Sequence, residues 1–332
     1  MKTENPNLKF YLDKKVEQLI VPEDYKLEEG AKERHRLFSL LLMSITKYYW
    51  NSNKNGKDGK YPFNPVNYGK FENNDYYGHN IASLAVDAYG EVIDFEFNHN
   101  NIFSSTTEHA EARMVKRVFS LTQINDSWKV SLEKNENENE NEKNKHTFED
   151  VVLYTTLESC SQCAGVMALA RVKEIVYLQT DPGMYLIGNI LRNLTRTIEN
   201  VPNTGGLISP MPITGLELDL TYFEQLNTAY KIFQQKVEKT PFFEPNNPQN
   251  KKDFSPSITS FLCTDLAYQI YKDASNEFEH LTEESLKFVD YKPKDKNGIE
   301  IMNAKTNKSV LAEVKDFYQY AIKKGKRGTP HK

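Results

Sequence analysis

Between Ile81 and Gln179 the sequence alternates short runs rich in β-branched and aromatic residues with amphipathic stretches. No other feature constrains the fold as strongly. Residues 81–86 and 92–97 read as strands, joined by Asp87-Ala-Tyr-Gly90-Glu91, whose glycine suits a hairpin turn. A helix over about 107–121 follows, with Met114, Val115, Val118 and Phe119 on one side. Then come a strand over 151–155, a helix over 160–172, a strand over 174–179 and a helix over 184–197. Strands alternating with helices predict an α/β layer structure with parallel crossover units.

This block is flanked by segments of different composition. Residues 9–50 read as helical, with Leu37, Leu40, Leu41, Met43, Ile45, Tyr48 and Tyr49 forming a broad apolar face. A polar, Gly-containing loop over 51–59 ends that segment, and 61–77 shows no clear period. Inside the block, 133–145 is an Asn/Glu insert with no apolar residue to bury, which predicts a mobile loop. Beyond it lie a helix over 218–237, a Pro- and Asn-rich linker candidate from Pro241, a helical part over 257–288 and a last helix over 309–323. Three parts result: an N-terminal helical segment, 1–77; an α/β domain, 78–240, with its insert at about 133–146; and a C-terminal helical extension, 241–332. The extension ends in a basic tail, with eight Lys/Arg against two Asp/Glu from Lys305 onward. Such a tail could contact phosphates, although a charge run is more often a solvated end.

Composition excludes several classes. No apolar run approaches the ~18 residues a membrane span needs, so no membrane association is expected. The first residues lack the apolar stretch of a secretory signal. A net charge of -4 rules out a bulk polycation made to coat nucleic acid. Three cysteines in 332 residues cannot staple a disulfide scaffold and fit a reducing, cytoplasmic setting.

Two of those cysteines carry chemistry. Cys160 and Cys163 are spaced C-x-x-C at a predicted helix start, and His109-Ala-Glu111 opens the preceding predicted helix. Ser105-Thr-Thr-Glu108 and Ser159-Cys-Ser-Gln162 both fit the capping-box pattern, which predicts Ser159 as an N-cap with Cys160 first in the helix. Residues three apart share a helix face, so both sulfurs can converge on one ion, and the positive helix end favours thiolates. One imidazole and two thiolates make three ligands for Zn²⁺ and leave the fourth tetrahedral position open, the mark of a catalytic site. A structural clip would need a fourth ligand nearby, and Cys263 is far away in sequence. A redox pair would not need the upstream His-Ala-Glu. Zinc with an open position makes water a nucleophile near neutral pH, and Glu111 stands close enough in sequence to His109 to move protons.

His-Ala-Glu on one helix and Cys-x-x-Cys on the next resemble the zinc-dependent cytidine/adenosine deaminase superfamily, whose signature is H-x-E followed by P-C-x-x-C. The likeness covers about 78–197. The run Leu169-Ala-Arg-Val-Lys-Glu-Ile-Val-Tyr177 is similar to the segment after this motif in the tRNA adenosine deaminase branch. The resemblance implies a three-layer α/β/α cytidine-deaminase-like fold with a mixed five-stranded sheet, extended by helices at both ends. It implies zinc on His109, Cys160 and Cys163, with Glu111 as general acid/base. It also implies an Asn after the second strand that contacts the nucleoside: Asn98, with Asn100 and Asn101 as rivals. The implied reaction is hydrolytic removal of the amino group from a cytosine or adenine base, in RNA or DNA. A deaminase of a free nucleoside, nucleotide or base is one alternative. A catalytically silent, zinc-stapled nucleic-acid-binding or interaction module is another, which the intact Glu111 argues against. The family pattern also admits a homodimer. Two departures stand out: Ser159 replaces the usual Pro, and His109 precedes Cys160 by 51 residues, a long gap to which the insert contributes.

Overall fold

The computed structural model describes residues 26–50, 78–100, 103–129, 148, 150–182, 210–239, 257–295 and 298–324. The expectations for the N-terminal end of the first helix, the loop at 51–59, the irregular stretch 61–77, the insert, the helix at 184–197, the linker and the tail beyond 324 lie outside the described residues.

Five strands form one mixed sheet in the order β2-β1-β3-β4-β5. They are β1 Ala82–Val86, β2 Val92–Phe97, β3 Val152–Thr155, β4 Glu174–Tyr177 and β5 Met211–Thr214. The β1 strand pairs antiparallel with both β2 and β3, while β3, β4 and β5 run parallel. The β1–β2 hairpin closes as its sequence predicts. Gly90 has φ +90, and the Asp87 carboxylate accepts from the backbone N–H of Tyr89 and Glu91.

Four strands were legible as sequence runs, but β5 was not. Its four residues include Pro212, which normally argues against a strand. The edge position resolves this. Met211 N donates to Lys173 O and Gly215 N to Tyr177 O, so the odd-numbered residues face β4 and the proline ring faces away from the ladder.

The alternation of side chains across the sheet divides the core in two. Leu84, Val86, Val152, Tyr154 and Val176 enter one cluster, whereas Ala85, Leu153 and Ile175 enter the other. The smaller cluster is roofed by α2, Ala110–Lys129, and α3, Ser161–Leu169. The larger lies beneath α1, Glu29–Tyr48, and beneath α4, Thr221–Lys239; α5, Ile258–Phe261; α6, Asp265–His280; and α7, Asn307–Lys324. The result is the three-layer α/β/α arrangement.

The first helix is not an appendage. From Leu37 to Thr46 every residue of α1 is buried, because the helix packs on β1 and β3 with one side and on α6 and α7 with others. Two of its buried hydroxyls are satisfied within the helix, Ser44 donating to Leu40 O and Thr46 to Leu42 O, both at 2.7 Å. Tyr49 donates to Ala321 O at 2.7 Å and Trp50 packs on Tyr268 and Tyr271, which ties the end of α1 to α7 and α6. The helical part expected over 257–288 is broken at Leu262–Thr264, where the Thr264 side chain caps α6 by accepting from Ala267 N.

Candidate active site

Local chemistry places both helix starts. His99 N donates to Glu108 O, and the Asn98 side-chain oxygen accepts from Ala110 N at 2.7 Å. A side chain at the end of β2 thus satisfies the first free N–H of α2. The expected capping box at Ser105 does not form. Ser105 Oγ accepts from Thr107 N inside a turn, and the helix begins at Ala110, with His109 just before it. The second expected box also shifts by one residue. Cys160 is the N-cap of α3 in extended conformation, and Ser159 lies outside the helix because its hydroxyl donates to Glu111 Oε1 at 3.0 Å.

With the starts of α2 and α3 side by side at the ends of β2 and β3, the three candidate ligands converge. His109 Nδ1 lies 3.3 Å from Cys160 Sγ and 3.6 Å from Cys163 Sγ, and the two sulfurs are 3.6 Å apart. A tetrahedral zinc with bonds of about 2.3 Å to sulfur and about 2.0 Å to nitrogen sets its ligand atoms about 3.5–3.8 Å apart. The observed triangle therefore fits a single Zn²⁺. The group has three members among the described residues, a donor set that leaves a fourth position for water or substrate.

Electrostatics point the same way. The Cys160 thiol is pulled down to about 4, first by the hydrogen bond from Cys163 and then by His109, whereas the Cys163 thiol is pushed up by the neighbouring sulfur. The same Cys160 contact raises the His109 imidazole. A bound Zn²⁺ would displace the Cys163 proton and let both sulfurs serve as thiolate ligands.

Glu111, the second residue of α2, is buried beside this triangle. Thr155 Oγ1 and Ser159 Oγ donate to its Oε1 at 3.3 and 3.0 Å, and Cys163 Sγ donates to Oε2 at 3.4 Å. Burial pushes its carboxyl above the ordinary range. Asn98 is buried too, and its Nδ2 has no hydrogen-bond partner among the described residues. Asn100 instead faces His79, and Asn101 lies outside the described residues. Cys263 is buried in the large cluster with its thiol directed at Thr259 O, away from the site in the fold as in sequence.

Sequence reading missed Thr155 altogether and gave Ser159 a capping role in place of its contact with Glu111. Their residue type signals only a hydroxyl. The acceptor exists because β3 ends opposite the first turn of α2.

A mixed sheet that carries a His/Cys/Cys triangle and a buried Glu on paired helix starts defines an α/β/α protein with a candidate zinc site. Residues 69–179 match the family described as "Cytidine and deoxycytidylate deaminase zinc-binding region", about a third of the chain. The chain is similar to the tRNA-specific adenosine deaminase 2 of Xenopus tropicalis, 32% identical over 108 residues, covering 32% of this chain and 53% of that protein. The Xenopus laevis protein of the same name is 27% identical over 118 residues, covering 35% and 57%. The chain thus spans about half the length of the curated relatives it matches. Among solved structures, one chain from work on A-to-I editing by tRNA:A34 deaminases aligns at 20% identity and a TM-score of 0.29, over 41% of this chain and 82% of its own.

Proposed function

We propose that this protein is a zinc-dependent hydrolytic deaminase that removes the exocyclic amino group of an adenine or cytosine base carried in RNA. The observation that supports it most is the proximity of the buried Glu111 carboxylate to the ligand triangle, 3.4 Å from Cys163 Sγ. A site that merely stapled the fold would have no use for a proton carrier there. The likeness to tRNA-specific adenosine deaminases supports an RNA base as substrate.

His109 Nδ1, Cys160 Sγ and Cys163 Sγ would hold the zinc, which supplies Lewis acidity that activates water for attack on the amino-bearing ring carbon. Glu111 takes the proton of the attacking water and delivers it to the ring nitrogen, then carries a second proton to the leaving amine, so that ammonia departs. Thr155 and Ser159 fix the carboxylate during both transfers by holding one oxygen and leaving the other toward the reacting atoms. The free Nδ2–H of Asn98 supplies a donor to the nucleoside while its oxygen stays on the α2 start. Unpaired Cys160, Cys163 and Cys263 fit a reducing setting and support a cytoplasmic location as part of this reading. A homodimer belongs to the same reading, and sedimentation of the purified protein measures it.

Ammonia release from matched RNA oligonucleotides, DNA oligonucleotides and free nucleosides tests the assignment. Glu111→Gln is expected to retain one zinc per chain and lose turnover by at least about 100-fold. Undiminished deamination by that variant, or purified protein without stoichiometric zinc, overturns the mechanism.

A further inference from the structure

The turn between Asn98 and His109 carries a large aromatic side chain that stays mostly exposed. Phe103 is 57% exposed, although the turn that bears it is tightly tied. Phe103 N donates to His99 O at 3.2 Å, Ser105 N to Asn100 O at 3.0 Å and Gln162 Nε2 to Thr107 O at 3.0 Å. The last bond joins the turn to the first helical turn between the two cysteines, so the turn borders the site. Ser104, the next residue, has φ +49, a left-handed conformation that costs a non-glycine residue energy.

The ring is also backed from beneath. The Arg113 guanidinium lies 5.3 Å from its centroid, and the His99 ring is 5.9 Å away. Arg113 cannot swing off, because Glu108 and Glu96 both hold it in ion pairs. One side of Phe103 is therefore fixed against a cation, while more than half of the side chain remains in solvent. An aromatic ring held rigid and half-open beside a base-modifying site has the form of a stacking platform.

We propose that Phe103 stacks on an unpaired nucleobase adjacent to the base that reacts, in a single-stranded nucleic acid. The inference rests on the deaminase reading and sharpens it, because a free nucleoside has no neighbouring base to stack.

The test pairs protein variants with RNA oligonucleotides whose nucleotide on either side of the reactive base is replaced by an abasic one. Phe103→Ala is expected to raise KM for the intact oligonucleotide about tenfold with little change in kcat. Phe103→Trp is expected to restore the wild-type KM. On one side of the reactive base, the abasic change should raise the wild-type KM by a similar factor and add nothing to that of Phe103→Ala. That loss of additivity is a signature a structural role would not give. A KM for Phe103→Ala within twofold of wild type, or full additivity with both abasic changes, overturns the platform while leaving the deaminase reading intact. A wild-type protein that deaminates free nucleosides but no oligonucleotide overturns the RNA substrate and the platform together.

Discussion

Glu111 is buried beside two sulfurs and an imidazole, and three donors hold it: Thr155, Ser159 and Cys163. Asn98 performs a comparable service for the backbone, since its oxygen caps α2 at the residue between His109 and Glu111. The position of Asn98 depends in turn on Gly78. A Cβ there would lie 2.4 Å from Asn98 O and 2.7 Å from its carbonyl carbon, both backbone atoms that cannot rotate aside. Gly78→Ala is therefore expected to displace Asn98 and lower kcat/KM by as much as about 100-fold with zinc retained, checked by steady-state kinetics and metal analysis. Gly165→Ala is the matched control, because a Cβ there meets nothing within 4 Å. At this scale the ligands and Glu111 were legible from spacing alone. The supporting hydroxyls and Gly78 were not, because their partners lie on segments far away in the chain.

The elements show where pattern suffices and where it fails. The broad apolar face of α1 was readable, but not that the helix would be enclosed on all sides. Its polar residues are accommodated individually. Arg34 donates to the carbonyls of Lys305 and Tyr89, and His35 shares a 2.8 Å hydrogen bond with Tyr154 on β3. Burial pushes the His35 imidazole down to about 4, despite the nearby Glu174 carboxylate. In the unfolded chain the imidazole titrates near 6.5, so between those values the unfolded state binds a proton that the native state refuses. Stability from this group is complete above pH about 6.5 and falls as pH drops toward about 4, by up to about 3 kcal/mol. Urea unfolding across that window should show this loss in the wild type, and the difference between it and His35→Gln should isolate it. Parallel curves for the two proteins would contradict the burial argument. The strand β5 illustrates the reverse failure: Pro212 hid a strand that an edge position accommodates.

Across the whole molecule, residues near both ends of the chain build one layer. The helix α7 covers α1 and β2 with Val310, Val314, Tyr318 and Ala321 buried at the contact. Burying a large apolar side chain contributes about 1.5–3 kcal/mol, and a domain's whole margin is about 5–15 kcal/mol. Truncation before Asn307 is therefore expected to abolish cooperative unfolding and expose dye-binding apolar surface, read by near-UV circular dichroism and ANS fluorescence. A native-like melt of the truncated chain would mean that the remaining helices close the layer unaided. The sequence by itself determined the strand–helix alternation and singled out His109, Cys160 and Cys163 with the acid beside them, because periodicity and spacing act over a few residues. Only the tertiary structure decided that α1 sits at the centre of a layer, that Ser159 serves Glu111 rather than its helix, and that Asn98 rather than Ser105 starts α2. Each of those outcomes depends on which distant segments meet, and burial energy selects those meetings over the whole chain rather than within any local window.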